Sequence, residues 1–323
     1  MHPRILPQDR GTRRTLVLVL LAATGAGLGA CQPGNAIAKR LDAACEAGSA
    51  AACDSLGGRL QRGEYVLRDE ARAASLFERA CTAGVGESCA SLGAMFHHGA
   101  EGVDKDSARA LALFREACDR SAMDGCTSLG LLYKEGDGVA ADIVQAATLF
   151  RRACDAGQTT ACAHLGGLHV SGQGVPPDIA QAAVLFQRSC GDSVPLGCVG
   201  LGRLHASGQG VSANDSLATA LFEQACDEDE PEGCLELGVS HETGRGIPQN
   251  YERAADLYRD VCEDDLALAC ARLADLHDKG AGVFRDEEFA ARLRQKACNL
   301  GHAESCTTPA PAAPVPEKPA SVS

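Results

Sequence analysis

Apolar residues recur along this chain in two alternating short stripes. Ala182, Leu185, Phe186, Ser189 and Cys190 fall at i, i+3, i+4, i+7 and i+8, the spacing that lines one face of an α-helix. A second stripe runs through Cys162, Leu165, Gly166 and His169 at i, i+3, i+4 and i+7. Between them, Gly172-Gln173-Gly174 breaks the helix and turns the chain back. The pattern predicts an antiparallel helix pair. Asp178 precedes the second stripe, and Asp106, Asp142, Asp215 and Asp286 occupy equivalent places. A carboxylate is favourable there, at the start of a helix.

The same pattern, C-x-x-LG-x-L-H/Y, then G-x-GV, then D-x-x-x-A-x-x-LF-x-x-A-C, recurs about every 36 residues. Seven complete pairs run from Cys53 to Cys298, a half-unit (roughly Ala36 to Glu46) precedes them, and the array closes at Cys306. One helix pair has too small a face to bury alone, so neighbours must stack into a solenoid. The absence of Trp, the 4% aromatic content and the 36 glycines suit stacked Ala-rich helices better than one large core. A glycine four residues after each first-helix cysteine (Gly57, Gly93, Gly130, Gly166, Gly202, Gly238) predicts close helix approach. The last repeat carries Ala274 there, and Arg294 where the others have Phe or Tyr; both changes suit an end unit facing water.

Sixteen of the 17 cysteines form eight pairs eight positions apart: Cys45/Cys53, Cys81/Cys89, Cys118/Cys126, Cys154/Cys162, Cys190/Cys198, Cys226/Cys234, Cys262/Cys270 and Cys298/Cys306. On one continuous helix such residues would lie about 12 Å apart, too far for a disulfide. Cys154 and Cys162 instead flank a turn, Asp-Ala-Gly-Gln-Thr-Thr-Ala. A bridge across it would join the second helix of one unit to the first helix of the next. Zinc sites use shorter spacings, of two to four residues, so disulfides are expected and no metal.

The odd cysteine, Cys31, has its own context. Arg4, Arg10, Arg13 and Arg14 precede an apolar run from Leu16 to Ala23, and small residues lead to Leu28-Gly29-Ala30-Cys31. This is the pattern of a secretory signal, with an apolar segment short for a membrane span. LGAC resembles the bacterial lipobox. That resemblance implies a signal peptide over residues 1–30, acyl chains on Cys31, and a lipid-anchored linker over 31–38. Gln32, not aspartate, follows the cysteine, which favours the outer membrane. The Pro- and Ala-rich residues 307–323 are expected to be extended and disordered.

The run LG-x-L-H/Y, G-x-GV, A-x-x-LF-x-x-A at this period resembles the Sel1-like repeat, a relative of the tetratricopeptide repeat, across residues 39–306. With its added cysteine pairs it is similar to the Helicobacter cysteine-rich proteins. The resemblance implies an all-α fold, a right-handed α/α superhelical solenoid of seven helix pairs stapled by disulfides. Its concave face would bind other envelope proteins, in a protein-binding scaffold or adaptor held to its membrane through the Cys31 lipid. Some cysteine-rich relatives have been classed as β-lactamases or penicillin binders, which sets the alternative of a β-lactam or peptidoglycan binder.

The remaining chemistry is sparse. A net charge of −13 disfavours nucleic acid. No Ser-x-x-Lys, Lys-Thr-Gly, Gly-x-Ser-x-Gly or His-Glu-x-x-His occurs, so no catalytic residue, and no cofactor, is expected. His169, His205, His241 and His277 recur at one repeat position, shared with Phe96 and Tyr133, and are expected to pack. His97-His98 with Glu101 is the weak metal candidate. Asp227 to Glu230 and Glu263 to Asp265 form acidic connectors, expected as solvated loops.

Overall fold

The computed structural model describes residues 33–307. Those residues form α1 (Pro33–Glu46), α2 (Ala50–Arg62), α3 (Glu70–Thr82), α4 (Gly86–His98), α5 (Ser107–Asp119), α6 (Met123–Glu135), α7 (Ile143–Asp155) and α8 (Thr159–Ser171). There follow α9 (Ile179–Gly191), α10 (Pro195–Ser207), α11 (Asp215–Asp227), α12 (Pro231–Thr243), α13 (Tyr251–Glu263), α14 (Ala267–Lys279), α15 (Glu287–Asn299) and a closing 3-10 turn, Ala303–Thr307. The pairs from α2–α3 to α14–α15 are the seven units of an all-α solenoid. Among the described residues the only extended pairing is an isolated bridge between Ala100 and Val103. It absorbs the residues that lengthen the turn after α4. The expected signal peptide, the expected lipidation site Cys31 and the tail from 308 onward lie outside the described residues.

The helix ends follow from local chemistry. Asp69, Asp106, Asp142, Asp178 and Asp286 cap the odd-numbered helices, each accepting a hydrogen bond from the backbone N–H three residues on. In two units the cap is asparagine, Asn214 and Asn250. The expectation for Asp215 is therefore corrected: it is the first helical residue of α11, one place past the cap. Asn serves as well as Asp because capping needs only an accepting side-chain oxygen. Most even-numbered helices end on a glycine in the left-handed region, such as Gly172 at φ 68°. The first helix begins at Pro33 and takes in residues assigned above to a linker. Among its described side chains the first buried one is Ala38, so its start leaves no periodic apolar signal in the sequence.

Each junction between units is a short turn spanned by a disulfide, and all eight expected pairs are bonded. Cys45–Cys53, Cys81–Cys89, Cys118–Cys126 and Cys154–Cys162 have Cα–Cα distances of 4.7, 4.8, 4.5 and 4.8 Å. Cys190–Cys198, Cys226–Cys234, Cys262–Cys270 and Cys298–Cys306 follow at 4.6, 4.5, 4.8 and 4.8 Å. Closing each small loop contributes about 2–3 kcal/mol in the chain-entropy view.

Inside each of the first six units the predicted close approach is made by a ring seated on a glycine. A Cβ at Gly166 would stand 2.8 Å from the Phe186 ring, and one at Gly238 would stand 2.5 Å from Tyr258. The last unit has lost both partners together: with no ring opposite, Ala274 is fully buried. Its Arg294 does not face water as expected. The side chain is only 19% exposed and pairs with Asp275, at 2.9 Å, and with Asp278.

Consecutive helices pack side by side throughout. Among even-numbered helices, α4 approaches α6, α8 approaches α10 and α10 approaches α12, whereas no comparable approach joins successive odd-numbered helices among the described residues. The even-numbered helices therefore form the tighter inner layer of the curve, and the odd-numbered ones the outer layer. No helix among the described residues is long and apolar enough to cross a membrane.

Candidate functional site

The cysteines singled out from the sequence belong to the frame and not to a surface site. Cys126, Cys198 and Cys270, each on an inner-layer helix, are buried to 1% exposure or less. Their sulfurs are bonded to Cys118, Cys190 and Cys262. A sulfur so bonded and so sheltered is neither a nucleophile nor a metal ligand. Cys81 and Cys89 come close to Glu116, but they too are bonded to each other. Recognition must therefore rest on other side chains.

The inner layer carries side chains that differ between units. Two residues after the first-helix cysteine, Ser55, Ser91 and Ser128 give way along the chain to His164, Gly200, Glu236 and Arg272. Three residues further on, Gly58, Ala94 and Leu131 give way to Gly167, Arg203, Val239 and Asp275. One end of the inner layer is thus small and neutral, and the other is charged. The charges are ordered by one another: Arg203 Nε donates to Glu236 Oε1 at 2.7 Å, and Glu242 receives the Tyr258 hydroxyl at 2.7 Å with Arg272 at 3.6 Å. Burial, then the bond to Glu242, raises the Tyr258 phenol above its ordinary range.

The recurring histidines hold loops. Nδ1 of His169, His205 and His277 lies 3.0–3.2 Å from the carbonyl oxygens of Pro176, Ser212 and Phe284, each seven residues on. With an N–H on Nδ1, each ring ties the end of its helix to the far side of the following turn. His241 lacks this partner, and its Nδ1 is buried without one. Burial holds His241 below the usual imidazole range. His97 lies 3.3 Å from Asp137 and edge-on to His98, while the Glu101 backbone N–H donates to Glu70. The structure does not gather His97, His98 and Glu101 around one point.

Two features escaped sequence reasoning. The first is a cationic clasp across the junctions. Arg79 donates to the Cys45 carbonyl at 2.9 Å, Arg152 to that of Cys118 at 2.8 Å, and Lys296 to that of Cys262 at 2.6 Å. Each reaches back one unit to the C-terminal end of the previous outer helix, where carbonyls lack helical partners and a cation is favoured. The signal is a basic residue two places before the second-helix cysteine, and it was visible in the sequence. Arg120 does the same work for Cys81 from a different position, and Glu116, Gln224 and Asp260 depart from the series. The second is a cleft of about 310 Å³ on the inner layer between α8 and α10, lined in part by Lys134, His164, Gly167, Phe186 and Arg203. No spacing marks it, because its residues come from three units that vary independently. His164 stacks on Phe150 at 5.1 Å between ring centroids. Burial, then the nearby Lys134, lowers its pKa to about 4, so it is neutral at physiological pH.

The Sel1 repeat matches seven segments, residues 50–85, 86–121, 124–158, 159–191, 195–230, 231–259 and 267–302, which together make up well over half of the chain. The chain belongs to the Sel1 repeat family. Sel1 repeat proteins are scaffolds for protein–protein interaction and are generally not enzymes. Among solved structures, a protective antigen of uropathogenic Escherichia coli with an SLR fold is 30% identical, with a TM-score of 0.59. The alignment covers 83% of this chain, which spans 57% of that antigen's length. A Sel1 repeat protein from Oxalobacter formigenes is 19% identical over 76% of this chain and 96% of its own, with a TM-score of 0.65. At that identity the likeness shows the fold alone. No curated protein matches the chain.

Proposed function

We propose that this Sel1 repeat protein is exported and anchored by a lipid on Cys31, and that its inner layer binds and organises other proteins of the bacterial envelope, at the outer membrane. The observation that carries the reading is the combination of a constant, disulfide-stapled frame with inner-layer residues that change from unit to unit. Disulfides persist in oxidising compartments outside the cytosol, and eight of them span the described junctions. The lipobox-like LGAC sequence and the seventeenth cysteine, left over from eight regularly spaced pairs, support the anchor. The resemblance to the cysteine-rich subgroup of the family supports the same assignment.

Three measurements test it. Mass spectrometry of the mature protein is expected to show a diacyl or triacyl increment on an N-terminal Cys31, which Cys31→Ser abolishes together with membrane fractionation. Photo-crosslinking from Asp275 on the inner layer, in intact envelopes, is expected to capture a discrete partner, whereas crosslinking from Val184 on the outer layer is not. Turnover of the chromogenic β-lactam nitrocefin by the purified, fully oxidised protein would overturn the scaffold reading in favour of the β-lactam alternative.

A further inference from the structure

The cleft between α8 and α10 differs in charge from its surroundings. The chain carries 43 acidic against 30 basic residues. Four other clefts among the described residues each include at least one carboxylate in their lining. This one includes none, and has Lys134 on the α6 side and Arg203 on the α10 side. Lys134 has no ion pair among the described residues. Arg203 spends only its Nε on Glu236, so its two terminal nitrogens have no hydrogen bond to protein among the described residues. Lys134, together with Arg203 that Glu236 engages on one side only, faces a recess whose own lining carries no acid. In an acidic protein this sets up a local field that attracts anionic groups.

The floor is apolar and open. A Cβ at Gly167 would meet no heavy atom within 4 Å, so the missing side chain is not required by packing there. A Cβ at Gly200 would stand 2.5 Å from the Phe186 ring, so that glycine lets the ring form part of the floor. Leu168 and Val199 complete it. At about 310 Å³ the recess is at the small end of ligand pockets, about 300–1,000 Å³, and suits one anchoring side chain with flanking contacts on the rim.

We infer that this cleft binds an acidic peptide segment of a partner protein, with an apolar side chain on the Gly167–Phe186 floor and carboxylates meeting Lys134 and Arg203. This rests on the scaffold reading above and assigns its partner a chemistry. A free small anion would use the two cations and leave the apolar floor empty, so the peptide uses more of what the cleft offers.

The test is fluorescence polarisation with the full oxidised protein and a capped, fluorescein-labelled peptide, Glu-Glu-Ala-Leu-Ala-Glu-Glu, beside its all-glutamine counterpart. The glutamate peptide is expected to bind, with affinity about tenfold above the glutamine peptide and falling with salt. Lys134→Glu is expected to weaken it about tenfold. Gly167→Leu, which fills open space at an exposed helical position, is expected to abolish binding without lowering the thermal midpoint, since it replaces a helix-interior glycine. Failure of the glutamate peptide to bind, equal binding of the glutamine peptide, or indifference to both Lys134→Glu and Gly167→Leu overturns the proposal. So does displacement by acetate or inorganic phosphate as effective as that by unlabelled peptide. Capture of a partner from Asp275 by a protein whose cleft ignores the peptide overturns this site and leaves the scaffold reading standing.

Discussion

Glycine 166 and phenylalanine 186 show how a single missing methyl group sets the spacing of a unit. The ring lies where a Cβ would be, 2.8 Å from its ideal position, so Gly166→Ala must push Phe186 and its helix outward. Overpacking of this kind costs about 1–3 kcal/mol, and a lowered thermal midpoint with retained helicity is the expected result. The glycine was legible as a recurring letter. Its partner was legible too, but the reason for both became plain only in the last unit, where Ala274 and Arg294 replace them together. At the same scale, the staples differ in shelter. Most of the cysteines are buried, Cys126, Cys198 and Cys270 among them, but Cys306 is exposed and Cys298, Cys226 and Cys234 are half-buried. Titration with a reductant, followed by alkylation and peptide mass mapping, is expected to label Cys298–Cys306 first and Cys226–Cys234 second. Equal labelling of all eight pairs would contradict it.

Between neighbouring helices, the clasp sets which junctions carry a cation on the end of the previous outer helix. Asp260 stands where Arg79, Arg152 and Lys296 stand in other units, so that position offers a carboxylate and no cation for the end of the previous outer helix. Burial, then the charges of Asp256 and Glu263, raises its pKa. Asp260→Arg is expected to stabilise the protein by about 0.3–1 kcal/mol, the usual worth of a cation at a helix C-terminus. Calorimetry of the purified variant would show this as a raised midpoint. The same region holds a shared proton. Glu230 at the start of α12 hydrogen-bonds Glu232, and that bond, then burial, raises Glu230 to about 7, while it lowers Glu232. An acid raised on folding contributes stability that is complete below its unfolded value, near 4.5, and is lost as pH rises through about 7. The wild-type midpoint is therefore expected to fall between about pH 5 and about pH 8.5, and Glu230→Gln, which keeps a donor, is expected to flatten that change. Periodicity could place these helices and even their turns. It could not show that Glu230 and Glu232 share a proton, because that depends on side-chain direction and on Arg203 from the preceding unit.

Across the whole molecule, the repeat was the legible part: period, helix pairing, stacking and the disulfide scheme all follow from regular spacing. The inner-layer cleft was not legible, since recognition is written in the residues that depart from the repeat. The geometry of the staples has one further consequence. Among the sixteen bonded cysteines each partner is eight positions away, while the nearest cysteine of another pair is some three times further along the chain. A polypeptide made or threaded in order from its N-terminus would present each of these cysteines with its correct partner before any cysteine of the next pair arrived. Oxidation can then proceed one unit at a time behind the advancing chain, with little need for reshuffling. A unit gained or lost during evolution would carry its own bond with it and leave every other pairing unchanged.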